Sequence, residues 1–153
     1  MLTHCDFVYA GESAKFQMPF INLGLVPEFG STCSIPMRIG HIRAAELILL
    51  GLPFDARRAA ELGLVTRVVP DQELLATATE TAQKLAEKPV GALQACKRLM
   101  KRFSREQIEE AIKAELDEFA LRVRSAEARE AFTAFLEKRP PNFTKPKETA
   151  TAR

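Results

Sequence analysis

Glu28 is the single charged side chain in an otherwise apolar stretch, Met18 to Gly30, that also contains Pro19, Gly24, Pro27 and Gly30. Set between Pro27 and Phe29, it has the apolar neighbours that make a carboxylate serviceable as a general base. A carboxylate beside a turn is more commonly solvated or capping a helix. The surrounding chain is what gives it interest. Two prolines and two glycines oppose a long regular element there, and a segment this apolar and irregular is expected to be buried, where loops line sites.

Other chemistries find less support. Cys5, Cys33 and Cys96 are odd in number and far apart, so neither a metal-binding pair nor a disulfide framework can be drawn. They are expected to be small buried hydrophobes. His4 and His41 are the only histidines, and neither has a thiol or carboxylate at ligand spacing. No metal site is expected. Charge is unevenly distributed: Lys84, Lys88, Lys97, Arg98, Lys101, Arg102 and Arg105 face only Glu87, and the next stretch, Glu106 to Glu118, is acidic apart from Lys113. This predicts either two solvated helix faces or a basic rim that receives phosphates. With no interleaved aromatics beyond Phe103, nucleic acid is not an expected partner.

The chain of 153 residues is 46% hydrophobic and 27% charged with a net charge of +2, which fits a globular domain and excludes a disordered or repetitive one. No run of 18 apolar residues exists, so no span is expected to cross a membrane. The first residues lack the basic and apolar regions of a signal peptide, and a cytoplasmic location is expected.

The elements that must position these residues differ between the two halves. Asp6–Ala10 and Leu64–Pro70 read as strands, with Ala14–Phe16 as a further short one. Helices are expected from Gly30-Ser31-Thr32 to Ile39, over His41–Leu50, and over Ala56–Leu62 with Asp55 as cap; Gly40, Gly51 and Gly63 stop them. Beyond residue 70 the reading is helix after helix. Asp71 is expected to cap the first, with Leu74, Leu75, Ala78, Ala82 and Leu85 inward; Pro89 opens the next, with Val90, Leu93, Cys96, Met100 and Phe103 on one face. Ser104-Arg105-Glu106-Gln107 reads as a capping box ahead of Ile108, Ile112, Leu116, Phe119 and Val123. Ser125 starts a fourth helix with Ala128, Ala131, Phe132 and Phe135 inward. Four helices with short connections are expected to form a sub-bundle or a docking surface. Pro140-Pro141 ends helix, leaving residues 140–153 as a flexible tail.

The segment Cys5 to Ala10, then Ala14-Lys15-Phe16, then Pro19 to Ser31 resembles the crotonase superfamily, the enoyl-CoA hydratases and isomerases. Ile39-Gly40-His41-Ile42-Arg43-Ala44, Glu46-Leu47, Gly51, Phe54-Asp55-Ala56, Ala59, Gly63-Leu64-Val65 and Glu137 to Phe143 follow in the family's order and spacing. The resemblance implies an α/β fold: the C-terminal part of a crotonase-like ββα spiral in residues 1–70, then an α-helical C-terminal region in residues 71–139 that closes over CoA and mediates oligomerisation. It also implies that the backbone donors holding the thioester oxyanion belong to earlier turns, so the chain resembles the C-terminal half of a family member, starting inside a helix. The isolated chain is expected to be inactive.

By the same resemblance, Glu28 matches the glutamate with which Δ3,Δ2-enoyl-CoA isomerases move a proton from C2 to C4. Hydratases use two glutamates, one of them at the position held here by Phe20. The implied activity is therefore a 3-enoyl to 2-enoyl shift, with 2-enoyl-CoA hydration as the alternative; a non-catalytic fragment serving only oligomerisation is the third reading. Phe16, Phe20, Ile21, Leu25 and Phe29 are expected to line the acyl pocket, and Lys97, Lys101, Lys138, Arg139 and Phe143 to meet CoA. No separate cofactor is implied, because CoA is part of the acyl-CoA thioester substrate. A homotrimer or a hexamer is the implied assembly.

Overall fold

A computed structural model describes residues 1–144. Strand β1 (Tyr9–Gly11) pairs in parallel with β4 (Arg67–Val69), placing Tyr9 opposite Arg67 and Gly11 opposite Val69. A second small sheet pairs β2 (Lys15–Phe16) with β3 (Phe54–Asp55) in antiparallel fashion. Helices α1 (Ser31–Ile39), α2 (His41–Leu50) and α3 (Ala56–Glu61) lie between these strands, and α4 (Leu74–Ala86), α5 (Val90–Lys101), α6 (Arg105–Arg122) and α7 (Ala126–Leu136) follow. Single 3-10 turns occupy Leu2–His4, Pro19–Leu23 and Asp71–Glu73. Where the resemblance implied a start inside a helix, the first residues form one tight turn.

The core comprises two neighbouring clusters. Val8, Ala10, Ala56, Ala59 and Val65 join the parallel pair to α3, while Ile35, Ile39, Ala44, Leu47 and Leu62 join α1 to α2. Phe54 packs against both. The predicted stops hold: Gly51 and Gly63 adopt positive φ at the ends of α2 and α3, a conformation an L side chain resists. Asp55 caps α3 by accepting from Arg58 N at 2.8 Å, and Ser125 caps α7 by accepting from Ala128 N at 3.0 Å.

The second half departs from its pattern in three ways. Helices α4, α6 and α7 dock mainly onto the first half, against β1, α1 and the Pro19–Leu23 turn respectively, rather than packing on one another as a sub-bundle. Their apolar faces are only partly used. Leu75 and Met100 are each 79% exposed, Phe135 76% and Phe103 75%. The residue that α4 buries is Thr77, while α7 buries Ala128 and Ala131 of its expected face together with Ala134. Amphipathic spacing marks a face that can be covered, whereas burial also requires a partner surface. Two predicted caps fail as well. Ser104 makes no capping bond to α6, its hydroxyl donating instead to Lys101 O at 3.4 Å, and Asp71 accepts from Ser13 N at 3.2 Å. Cys5 and Cys96 are exposed and Cys33 only half-buried, contrary to the expected burial, because α5 and the first turn lie at the surface.

Candidate functional site

The segment around Glu28 is irregular, as expected, yet anchored just after Glu28 by hydrogen bonds to the Glu28 and Phe29 carbonyls and from Gly30 N. Pro27 is buried and Glu28 half-buried. Phe29 (φ 62°) and Gly30 (φ 66°) are consecutive left-handed residues that reverse the chain into α1. For phenylalanine this is an uncommon conformation that neighbouring contacts must maintain. They are present. The Glu28 carbonyl accepts from Ser31 N at 3.2 Å and from the Ser31 hydroxyl, and the Phe29 carbonyl accepts from His4 Nε2 at 2.6 Å.

The N-terminus of α1 begins at Gly30, which has no side chain with which to cap it. The cap comes from α6. Glu115 is 5% exposed; its Oε2 accepts from Gly30 N at 2.6 Å and its Oε1 from Thr32 N at 2.8 Å and Thr32 Oγ1 at 2.6 Å. A buried carboxylate is tolerable only when hydrogen-bonded in this way, and the helix N-terminus favours its negative charge. Close packing permits the reach. A Cβ on Gly30 would stand 3.0 Å from Ile108 Cγ2 and 3.2 Å from Ile112 Cγ1, so α6 lies directly on the glycine. Among the described residues, the Glu28 carboxylate itself has no hydrogen-bond or ion-pair partner.

The expected acyl-pocket residues are placed unequally. Phe20 is half-buried and Ile21 exposed in the Pro19–Leu23 turn, Leu25 is buried just after it, and Phe29 is 50% exposed next to Glu28. Phe16 stacks on Phe54 with ring centroids 5.6 Å apart, on the cluster that contains Val8 and Ala59.

The expected CoA-binding residues fall into two groups. Lys97 and Lys101 line an open groove of about 1040 Å³ between the first turn, α1, α5 and α6, together with Arg38, Arg98 and Arg105. Asp6 joins the two lysines: it pairs with Lys97, and with Lys101 at 3.2 Å, while Lys101 also donates to His4 O at 3.1 Å. Lys97 foremost, with Lys101, holds the Asp6 carboxyl below the usual carboxylate range against the opposing effect of partial burial. The second group follows α7. Lys138 and Phe143 are exposed, while Arg139 pairs with Glu130 at 2.6 Å and Glu137 at 2.6 Å, which strengthens its hold on its proton.

A depressed Asp6 pKa contributes stability that is present above the unfolded-state value of about 3.9 and lost as pH falls through the folded value. The pairs are exposed, so the contribution is about 1 kcal/mol or less. Asp6→Asn is therefore expected to lower thermal stability slightly at pH 7 and by less at pH 3, as the carboxyl begins to take up its proton. Melting curves at the two pH values check this, and an equal deficit at both would show that the ion pairs are not its source.

Sequence reading missed Glu115 and His4 as parts of this arrangement. For Glu115 a signal existed: it falls in the stripe Ile108, Ile112, Phe119, at a position where a helix facing a core carries an apolar residue. For His4 there was none.

The family model for enoyl-CoA hydratase/isomerase matches residues 1–146. The chain belongs to the enoyl-CoA hydratase/isomerase family, the crotonase superfamily. It is 40% identical over 139 residues to the 1,2-epoxyphenylacetyl-CoA isomerase of Escherichia coli K12, covering 91% of this chain and 53% of that protein. It is 34% identical over 139 residues to the 2,3-dehydroadipyl-CoA hydratase of the same organism, covering 91% and 54%. An enoyl-CoA hydratase/isomerase structure from Pseudoalteromonas atlantica T6c superposes with a TM-score of 0.90 at 41% identity, over 93% of this chain and 57% of that one. The chain spans about half the length of the curated relatives it matches.

Proposed function

We propose that the chain is the C-terminal half of an enoyl-CoA isomerase that converts a 3-enoyl-CoA to a 2-enoyl-CoA, with Glu28 as the base. The observation that carries this reading is the Glu28 carboxylate, which has no partner among the described residues although its own carbonyl and the Phe29–Gly30 peptide that follows are hydrogen-bonded. A group that must take a proton from C2 and return it to C4 needs a fixed main chain and a side chain not committed to another bond. Phe20, standing where the resemblance puts a hydratase's second glutamate, can neither take nor give a proton. The enolate oxygen must be stabilised by convergent donors, and in this reading those come from the part of the protein outside this chain.

In this reading Phe20, Ile21, Leu25 and Phe29 supply apolar surface for the acyl chain, with Phe16 as a further lining residue. Lys97 and Lys101 offer the phosphates of CoA two ammonium groups already gathered by Asp6, and Lys138, Arg139 and Phe143 offer a second contact. The exposed apolar residues of α5, α6 and α7 support assembly into a trimer or hexamer. Hydration of a 2-enoyl-CoA is the second reading, favoured by the similarity to a hydratase at 34% identity. Assay of the full-length enzyme with a 3-enoyl-CoA and a 2-enoyl-CoA decides between them. Turnover of the 3-enoyl substrate without water addition to the 2-enoyl one is expected; the reverse pattern overturns the isomerase reading.

A further inference from the structure

We infer that Glu115 is a positioning residue for Glu28, acting through the Phe29–Gly30 peptide that it and His4 grip from opposite ends. This inference rests on the reading of Glu28 as the base. The carbonyl of that peptide accepts from His4 Nε2 at 2.6 Å, and its N–H donates to Glu115 Oε2 at 2.6 Å. A single peptide plane is thus fixed at both edges, and with it the ψ of Phe29 and the φ of Gly30, the two left-handed residues that follow the base. If either bond is lost, the plane can rotate toward a more ordinary conformation. Glu28 is joined directly to Phe29, so any part of the change in Phe29 ψ that Gly30 φ does not cancel re-aims the Glu28 side chain relative to α1.

Glu115 has a second effect by its charge. The N-terminus of α1 offers unpaired N–H groups and a partial positive charge, which attract a carboxylate. Glu28, two residues ahead of the first cap position, is the acid nearest to it in sequence. With Glu115 seated on Gly30 N, Thr32 N and Thr32 Oγ1, that attraction is satisfied from α6. The base is then left free for substrate. The buried carboxylate keeps Glu28 out of a capping role, which would take it away from C2.

Glutamine cannot substitute for it. Its one carbonyl oxygen can accept at one side, while its amide NH2 meets a backbone N–H at the other, donor against donor. Glu115→Gln in the full-length enzyme is expected to lower kcat for the 3-enoyl-CoA shift by about 10²-fold, the scale of a misplaced catalytic group, with KM within about threefold. Glu115→Asp, which keeps both acceptor oxygens, is expected to recover part of that loss. His4→Gln, on the more exposed side of the same peptide, is expected to lower kcat in the same sense. The double variant should lose less than the sum of the two effects, since both bonds hold one peptide.

Glu28→Gln is measured alongside. An inactive Glu28→Gln together with a folded Glu115→Gln of parental kcat overturns this inference alone. A Glu28→Gln enzyme that still turns over removes the base, and the positioning inference falls with it. If Glu115→Gln fails to fold, Glu115→Asp and His4→Gln carry the test, and parental kcat in both overturns the inference. A loss confined to KM would assign Glu115 to substrate binding and would equally overturn it.

Discussion

Glu28→Gln in the full-length enzyme is expected to reduce kcat for the 3-enoyl to 2-enoyl shift by about 10²–10⁴-fold, the range that one positioned proton-transfer group supplies. Glutamine is nearly isosteric and makes no demand on the loop, whose bonds at this residue run through the Glu28 carbonyl to Ser31. Folding and CoA-thioester binding should therefore be retained. The expected signature is a fall in kcat with little change in KM, since the lost interaction is made chiefly in the transition state. Steady-state kinetics with a 3-enoyl-CoA, alongside the dissociation constant of a saturated acyl-CoA, provide the measurement. Turnover within tenfold of the parent would exclude Glu28 as the base.

The second large effect concerns stability. Gly24 ends the Pro19–Leu23 turn with φ at 66°, and a Cβ there would lie 2.8 Å from Ala128 N and 2.9 Å from the Glu127 carbonyl carbon. Both are backbone atoms at the first turn of α7, so no side-chain rotation can relieve the clash. Gly24→Ala must pay the left-handed conformation, about 1 kcal/mol, and displace α7 from its seat, about 1–3 kcal/mol by analogy with overpacking. A total loss of about 2–4 kcal/mol is expected in denaturant unfolding. Gly63→Ala is the control: its φ is 77°, but nothing lies within 4 Å of an added Cβ. It is expected to lose only about 1 kcal/mol. Equal losses at the two sites would show that α7 does not rest on Gly24.

Local rules read well where the physics is local. Asp55 and Ser125 cap α3 and α7 because a side-chain oxygen needs to reach only three residues ahead. Gly51 and Gly63 end helices because only the left-handed conformation is at issue. The same reasoning misled at Ser104 and Asp71, whose side chains found other partners. On α5, no residue of the expected inward face is buried. Hydrophobic spacing determines which side of a helix can be covered. It carries no information about whether the covering surface lies in the same chain.

From sequence alone came the family, the place of Glu28 in an irregular apolar segment, and the absence of an acid at Phe20, because these depend on residue identity and order along the chain. The tertiary structure alone decided how that segment is held. Glu115 reaches Gly30 across 85 residues, and His4 reaches Phe29 across 25. Neither partner leaves a local pattern that names the other, since the hydrogen bond exists only once α6 has packed on α1 and the first turn has settled beside it. Gly30 illustrates the division: it read as the start of a helix, while its lack of a side chain proved to be what lets Ile108, Ile112 and the Glu115 carboxylate approach.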